Sequence, residues 1–220
     1  MRTTLIPAVI EAAKRNIAQQ NKDLWLFETA NVYEPKSLPL TEVPHERPMA
    51  CGILMGKTTD PAWNAPQRDT DFYDVKGIVD GLLTAVGIKG YTIAPSGESY
   101  YHPGVSAQYF INGVTIANFG ELHPQAVKNF DLPGKTFMFE IDLEAVLELA
   151  NTHFRYVPFS KFPGTSRDLA IVAPTAVTSS DIMTIIKDNG GEFLESVHIF
   201  DVFEGEHIED GFRRLSFNFE

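Results

Sequence analysis

"KTFMFEIDLEAVLELA", residues 135–150, decides how the first half of the chain is read. Phe137, Phe139 and Ile141 alternate as one buried face of a strand requires, and Leu143, Val146, Leu147 and Ala150 then repeat at helical spacing. The carboxylates Glu140, Asp142, Glu144 and Glu148 fall between these apolar positions. The unit is a strand that runs into a helix, and nothing in it is equipped for chemistry.

The chain before it supplies a sheet for that strand. Asn112-Gly113 separates "AQYFING" from "VTIANFG", and an Asn-Gly pair flanked by alternating apolar residues is a strong hairpin signal. With "GYTIAP" ahead of it, the stretch from Tyr91 to Phe119 predicts antiparallel strands. Further upstream, "TTLIPAVIEAAKRNIAQQ" puts Ile6, Val9, Ile10, Ala13 and Ile17 on one helical stripe, with Pro7 in the first turn where its missing N–H costs little. "DLWLFETANVYEP" predicts a strand up to Pro35, "PKSLPLTEVPHERP" a proline-rich connector, and Met49–Met55 a second strand. "TTDPAWNAPQRDTD" reads as a loop, and Asp71–Val86 carries apolar residues at helical spacing.

Downstream, "NTHFRYVPFSKFPG" reads as a linker, and a second unit begins near Val157. "RDLAIVAP", "SSDIMTIIKDNGG", "LESVHIFDVFEG" and "FRRLSFNFE" give the order β-α-β-β. A ferredoxin-like domain needs one more helix and strand. Because the last residues lie inside a strand candidate, the expectation is a piece of something longer.

Composition narrows the function classes. With 44% hydrophobic residues and 16 Phe, 220 residues can form one large or two small globular domains. There is no 18-residue apolar run and no signal-peptide pattern, so the expectation is a cytoplasmic protein without a membrane partner. Cys51 is the single cysteine, sits in "MACGILMG" and reads as a buried hydrophobe. A net charge of −11 opposes nonspecific attraction to phosphate backbones, so any RNA contact must be local.

Candidate chemistry is sparse. None of the six histidines stands at i, i+4 from another, which speaks against a helical metal site, and no nucleophile-elbow, Walker-type or Rossmann glycine motif is present. The His-Pro pairs of "YYHPGVSA" and "GELHP" read as structural turns, and the acidic "FEGEHIEDG" as a solvated one. Lys161, Arg167, Arg213 and Arg214 form the one basic cluster suggested in the second unit; 156–220 holds 5 basic and 11 acidic residues, so only a focused RNA contact fits.

"MRTTLIPAVIEAAKRNIAQQNKDLWLFETANVYEP", "DFYDVKGIVDGLL", "YHPGVSAQ", "GELHP", "FMFEIDLEAVL", "KFPGTSRDLAIV" and "LESVHIFDVFEGEHIEDGFRRLSFNF", in this order, resemble the C-terminal part of the bacterial phenylalanyl-tRNA synthetase beta chain. The resemblance implies an α+β chain in two modules. Residues 1–153 would be a class II synthetase-like antiparallel sheet with flanking helices, a degenerate copy of the catalytic module in the partner alpha chain. Residues 154–220 would be a ferredoxin-fold anticodon-binding domain, an incomplete β-α-β-β unit cut before its last helix and strand.

It also implies where catalytic residues are missing. Class II modules hold ATP phosphates with an arginine in patterns like "RVYR" and another in "FGxGxER". Matching "NVYE" to the first puts Glu34 at the arginine, and matching "FMFEIDLEAVL" to the second puts Glu140 and Asp142 at glycines and Ala145 at the arginine. Side chains at glycine positions obstruct a nucleotide. A carboxylate about 4 Å from a phosphate is repelled by roughly 4 kcal/mol at an effective dielectric of ~20.

The expected role is therefore non-catalytic support of phenylalanine–tRNA ligase: the fragment holds no cofactor, ATP and Mg²⁺ act in the whole enzyme with ATP at the alpha chain, and the partners are that alpha chain and phenylalanine tRNA in an alpha2-beta2 assembly. Helix 5–20 and strand 24–33 are the candidate contacts with the alpha chain, with Ile6, Ile10, Ile17 and Trp25 as interface candidates. An alternative from another class is a stand-alone amino-acid-binding regulatory module; an active ligase would predict ATP–pyrophosphate exchange by the chain alone.

Overall fold

The computed structural model describes residues 2–151, 153, 156, 158 and 161–220. The chain divides into two compact units, Met1–Phe154 and Arg155–Glu220. The linker reading over 151–164 falls partly outside the described residues, and the start of the second unit at Val157 wholly so.

In the first unit the elements run α1 (Ile6–Ala18), β1 (Leu24–Glu34), β2 (His45–Met55), α2 (Phe72–Ala85), β3 (Thr92–Ala94), β4 (Tyr101–Ile111), β5 (Val114–Leu122), α3 (Pro124–Asn129), β6 (Thr136–Asp142) and α4 (Leu143–Leu149). Six strands form one sheet in the order β1-β2-β6-β5-β4-β3, and every neighbouring pair is antiparallel. The strand-into-helix unit of the opening stretch is thus β6 and α4, and β6 lies in the middle of the sheet.

That central place explains a feature alternation alone misses: Thr136–Ile141 are buried in succession. Phe137, Phe139 and Ile141 pack with Val75, Val79 and Leu83 of α2 and Val146 of α4. Met138, pointing the other way, packs with Ile10 and Ala13 of α1. Helices cover both faces, so neither parity of the strand meets water. Within α4 the buried residues are Ala145 and Val146, while Leu147 is 73% exposed.

Two glycine positions carry the sheet's local geometry. Asn112 and Gly113 both take positive φ, 51° and 80°, the pair a two-residue hairpin between β4 and β5 needs. Gly52 lies opposite Phe139, and a Cβ there would overlap the Phe139 ring.

Three expectations shift. β2 reaches back to His45, because His45–Pro48 continue the ladder with Asn31–Glu34; Pro48 lies outside the β2–β6 ladder, which begins at Met49. β4 runs through His102 and Pro103, and a register shift between Tyr101 and Ser106 absorbs the proline. His123 begins the short helix α3, its ring nitrogen accepting from the Gln125 N–H at 3.1 Å.

The second unit holds β7 (Arg167–Pro174), α5 (Ser179–Asn189), β8 (Val197–Phe203) and β9 (Phe212–Phe219), in sheet order β7-β9-β8. Thr178 and Asp181 form a capping box at the start of α5. Ile182 of α5 packs with Ala173, Val197, Leu215 and Phe217 on one sheet face.

Candidate functional site

Residues separated by up to 139 positions, Thr3 to Asp142, meet in a cleft of about 400 Å³ whose lining includes Glu34, Arg47, Glu98, Tyr100, Glu140 and Asp142. The sheet brings them there. Val32 pairs with Arg47 across β1 and β2, and Met49 pairs with Asp142 across β2 and β6. Arg47 therefore stands between the end of β1 and the end of β6.

Arg47 is engaged on both sides. Its Nη1 donates to Glu34 Oε1 at 2.5 Å and its Nε to Asp142 Oδ2 at 2.9 Å. Burial lowers the guanidinium's pKa, but the charges of Asp142 and Glu34 outweigh that and hold it above its ordinary value. The second oxygen of Asp142 caps α4, accepting from the N–H groups of Glu144 at 3.0 Å and Ala145 at 3.2 Å.

Glu140 is only 6% exposed, although its side chain was expected on a polar strand position. Its Oε1 accepts from Thr4 Oγ1 at 2.5 Å and Leu5 N at 3.3 Å, and its Oε2 from the Tyr100 hydroxyl at 3.0 Å. Leu5, the residue before α1, offers no side-chain cap; the Thr4 hydroxyl accepts from the Ile6 N–H at 3.2 Å, and Glu140 reaches across from β6 to that hydroxyl and to the Leu5 N–H. Burial, followed by the charge of Glu140, pushes the Tyr100 phenol well above its ordinary pKa, so it remains a donor.

This cleft does not fit a nucleoside triphosphate. Glu34, Glu98, Glu140 and Asp142 outnumber the guanidinium of Arg47 four to one, and that guanidinium is already ion-paired with two of them. Ala145, at the position matched to a phosphate-holding arginine, is a methyl group 8% exposed in the core under α4. Among the described residues no group of three or more His, Cys, Asp or Glu could hold a metal ion. Sequence reading missed Arg47, Thr4 and Tyr100; extending the β1–β2 hairpin register to residue 47 was the one signal that could have found Arg47.

In the second unit the expected basic cluster is corrected. Arg213 and Arg214 are consecutive on β9, so they point to opposite sheet faces. Arg213 turns inward, Nη2 donating to the Val177 carbonyl at 2.9 Å. Arg214 stands on the other face, paired with Asp201 at 3.1 Å, its guanidinium carbon 5.1 Å from the centre of the Phe203 ring. Arg167 pairs with Phe219 at the far end of the ladder and donates to the neighbouring Ser166 carbonyl at 3.2 Å. Lys161 is exposed. Arg214 beside Phe203 is the one arrangement of the four suited to stacking on a nucleobase.

The family comparisons bear on the cleft and the second sheet separately. Residues 1–143 match the profile of the phenylalanyl tRNA synthetase beta chain CLM domain. The chain belongs to the phenylalanyl-tRNA synthetase beta chain family. Residues 160–220 match the ferredoxin-fold anticodon binding domain. Similar proteins include the phenylalanine–tRNA ligase beta subunits of Halalkalibacterium halodurans, 34% identical over 219 residues, 99% of this chain and 27% of the relative. The beta subunit of Bacillus subtilis is 33% identical over 221 residues, 100% of this chain and 27% of the relative. The chain thus spans about a quarter of the length of the curated relatives it matches. A pyrrolysyl tRNA synthetase structure from Desulfitobacterium hafniense shares the fold at a TM-score of 0.51 and 13% identity, covering 70% of this chain and 54% of that one. The mixed α+β, synthetase-like architecture expected from the sequence is the one observed. No helix among the described residues is long and apolar enough to cross a membrane.

Proposed function

We propose that this chain is a non-catalytic portion of a phenylalanine–tRNA ligase beta subunit. The observation that carries this reading is the Glu34–Arg47–Asp142 arrangement in the cleft, which turns the one guanidinium there toward protein carboxylates. Residues 1–153 serve as a scaffold for the catalytic alpha chain, and residues 154–220 help to seat the anticodon region of phenylalanine tRNA. The whole enzyme is then an ATP- and Mg²⁺-dependent ligase of the cytoplasm, two alpha and two beta chains, with ATP bound by the alpha chain.

Surface placement narrows the contact elements. Ile6 and Ile10 are buried against the first unit's own sheet and Ile17 packs on the same cluster. Trp25 is 46% exposed and lies on β1, the outermost strand on its side of the sheet. The alpha-chain contact is therefore assigned to β1 rather than to the apolar stripe of α1. For RNA, Arg214 with Phe203 is favoured over Arg213, whose guanidinium is tied to Val177. The regulatory alternative needs a cation for the ligand's carboxylate, and Arg47 is already paired.

ATP–pyrophosphate exchange with phenylalanine tests the reading. The chain alone is expected to give none, the alpha chain with the full-length beta chain is expected to give it, and exchange by this chain alone overturns the proposal. Binding of free phenylalanine to the chain alone, read by calorimetry, would favour the regulatory module instead.

A further inference from the structure

The first unit leaves several large apolar side chains in solvent, on β1 and in the loops that follow β1 and β2. Trp25 and Phe27 on β1 are 46% and 76% exposed, Leu38 and Val43 in the loop after it 81% and 78%, and Trp63 in the loop between β2 and α2 is 99% exposed. Scattered apolar residues on a surface are ordinary, but a bare tryptophan is not.

The loop that carries Trp63 is stapled from base to tip. Thr70 N donates to the Gly56 carbonyl at 2.9 Å and Thr58 N to the Arg68 carbonyl at 3.1 Å. Lys57 forms an ion pair with Asp69 at 2.8 Å, and Gln67 Nε2 donates to the Thr59 carbonyl at 2.7 Å. Arg68 forks onto Asp74 at 2.7 and 2.5 Å, fixing the loop to the first turn of α2. An antiparallel bridge between Ala62 and Ala65 leaves Trp63 and Asn64 as the two-residue tip. A loop backbone held this way loses little freedom on binding, which is what separates an anchor from a residue on a loose loop.

The partner is a protein surface, because both cations of the loop, Lys57 and Arg68, are already paired with Asp69 and Asp74, leaving little to attract a phosphate backbone. The loop also continues the β1 edge: Trp25 Nε1 donates to Thr70 Oγ1 at 3.4 Å. The relatives that match are named as beta subunits, chains of a multi-chain enzyme.

We propose that the stapled loop 57–70 presents Trp63 as an anchor that inserts into an apolar pocket of the catalytic alpha chain, in continuity with the β1 edge. This rests on the alpha-chain contact of the preceding section. The test is calorimetric titration of the purified alpha chain with the full-length chain, as wild type, Trp63→Ala and Trp63→Phe, with tRNA affinity and melting temperature measured alongside. Trp63→Ala is expected to weaken alpha-chain binding roughly 30-fold or more, with Trp63→Phe regaining most of it and the melting temperature of the free chain unchanged. Wild-type binding with an unaffected Trp63→Ala variant overturns the anchor and leaves the contact reading standing. Absence of binding by the wild type overturns both. Loss of tRNA affinity with alpha-chain binding intact would make Trp63 a base-stacking residue and overturn the protein anchor.

Discussion

Arg47 meets Asp142 although 95 residues separate them, whereas Arg213 and Arg214 are adjacent and part company. The same geometry produces both results. Strand pairing sets distant residues side by side at register positions, and the period-two alternation of a strand sends neighbours to opposite faces. Charge proximity in a β protein thus follows register and parity and not distance along the chain.

The largest break in that comparison is expected at Glu140, where one buried carboxylate serves three donors. Glu140→Ala leaves the Thr4 hydroxyl, the Leu5 N–H and the Tyr100 hydroxyl without their acceptor, and should cost about 3 kcal/mol in the unfolding of the first unit, measured with urea. Glu140→Gln keeps an acceptor and should cost less than half of that.

Next comes Asp142, which both pairs with Arg47 and caps α4. Asp142→Ala should destabilise by about 2 kcal/mol and Asp142→Asn, which retains a capping oxygen, by about 1 kcal/mol. If the two substitutions cost the same, the ion pair and not the cap dominates.

The divergent arginines should separate by property. Arg213→Ala should cost the second unit about 1 kcal/mol, since it removes the link to Val177, and leave the salt dependence of tRNA binding unchanged. Arg214→Ala should stay within about 0.5 kcal/mol in stability but reduce the salt slope of tRNA binding by about 1. The opposite assignment would show that the inward face of this sheet meets RNA.

Arg68 and Asp74 are the case in which nearness in sequence and in space agree, because a helix start folds both back on itself. The hydrogen bond from Arg68, with smaller help from the Asp71 backbone and the charge of Arg68, holds the Asp74 carboxyl below its ordinary pKa against the opposing effect of burial. Its stabilisation is therefore complete above the unfolded value of about 3.9 and is lost as pH falls through the lower folded value. Acid titration of α2 helicity should show this step, and Asp74→Asn should remove it.

Much of the fold was legible before any coordinates. The Asn112-Gly113 hairpin and the strand-to-helix switch at 136–149 each depend on neighbours within a few residues, so local chemistry sufficed. The candidate site was legible only in the negative: Glu34 and Ala145 marked what was missing, but not that Arg47 would be claimed by two carboxylates. The burial of Glu140 was hidden for a related reason, since alternation assigned it to a polar face and it is Thr4, Leu5 and Tyr100, far upstream in sequence, that close over it.

By itself, the sequence determined most of the strands and helices and that two units follow one another, because those properties belong to side-chain type and short-range periodicity; the missing phosphate-holding arginines were legible only through the family resemblance. Tertiary structure alone decided which charges meet, that both faces of β6 are covered and that Trp63 stands bare at a stapled tip. Those outcomes depend on strand register and helix placement, which bring together residues whose separation along the chain carries no trace of their meeting.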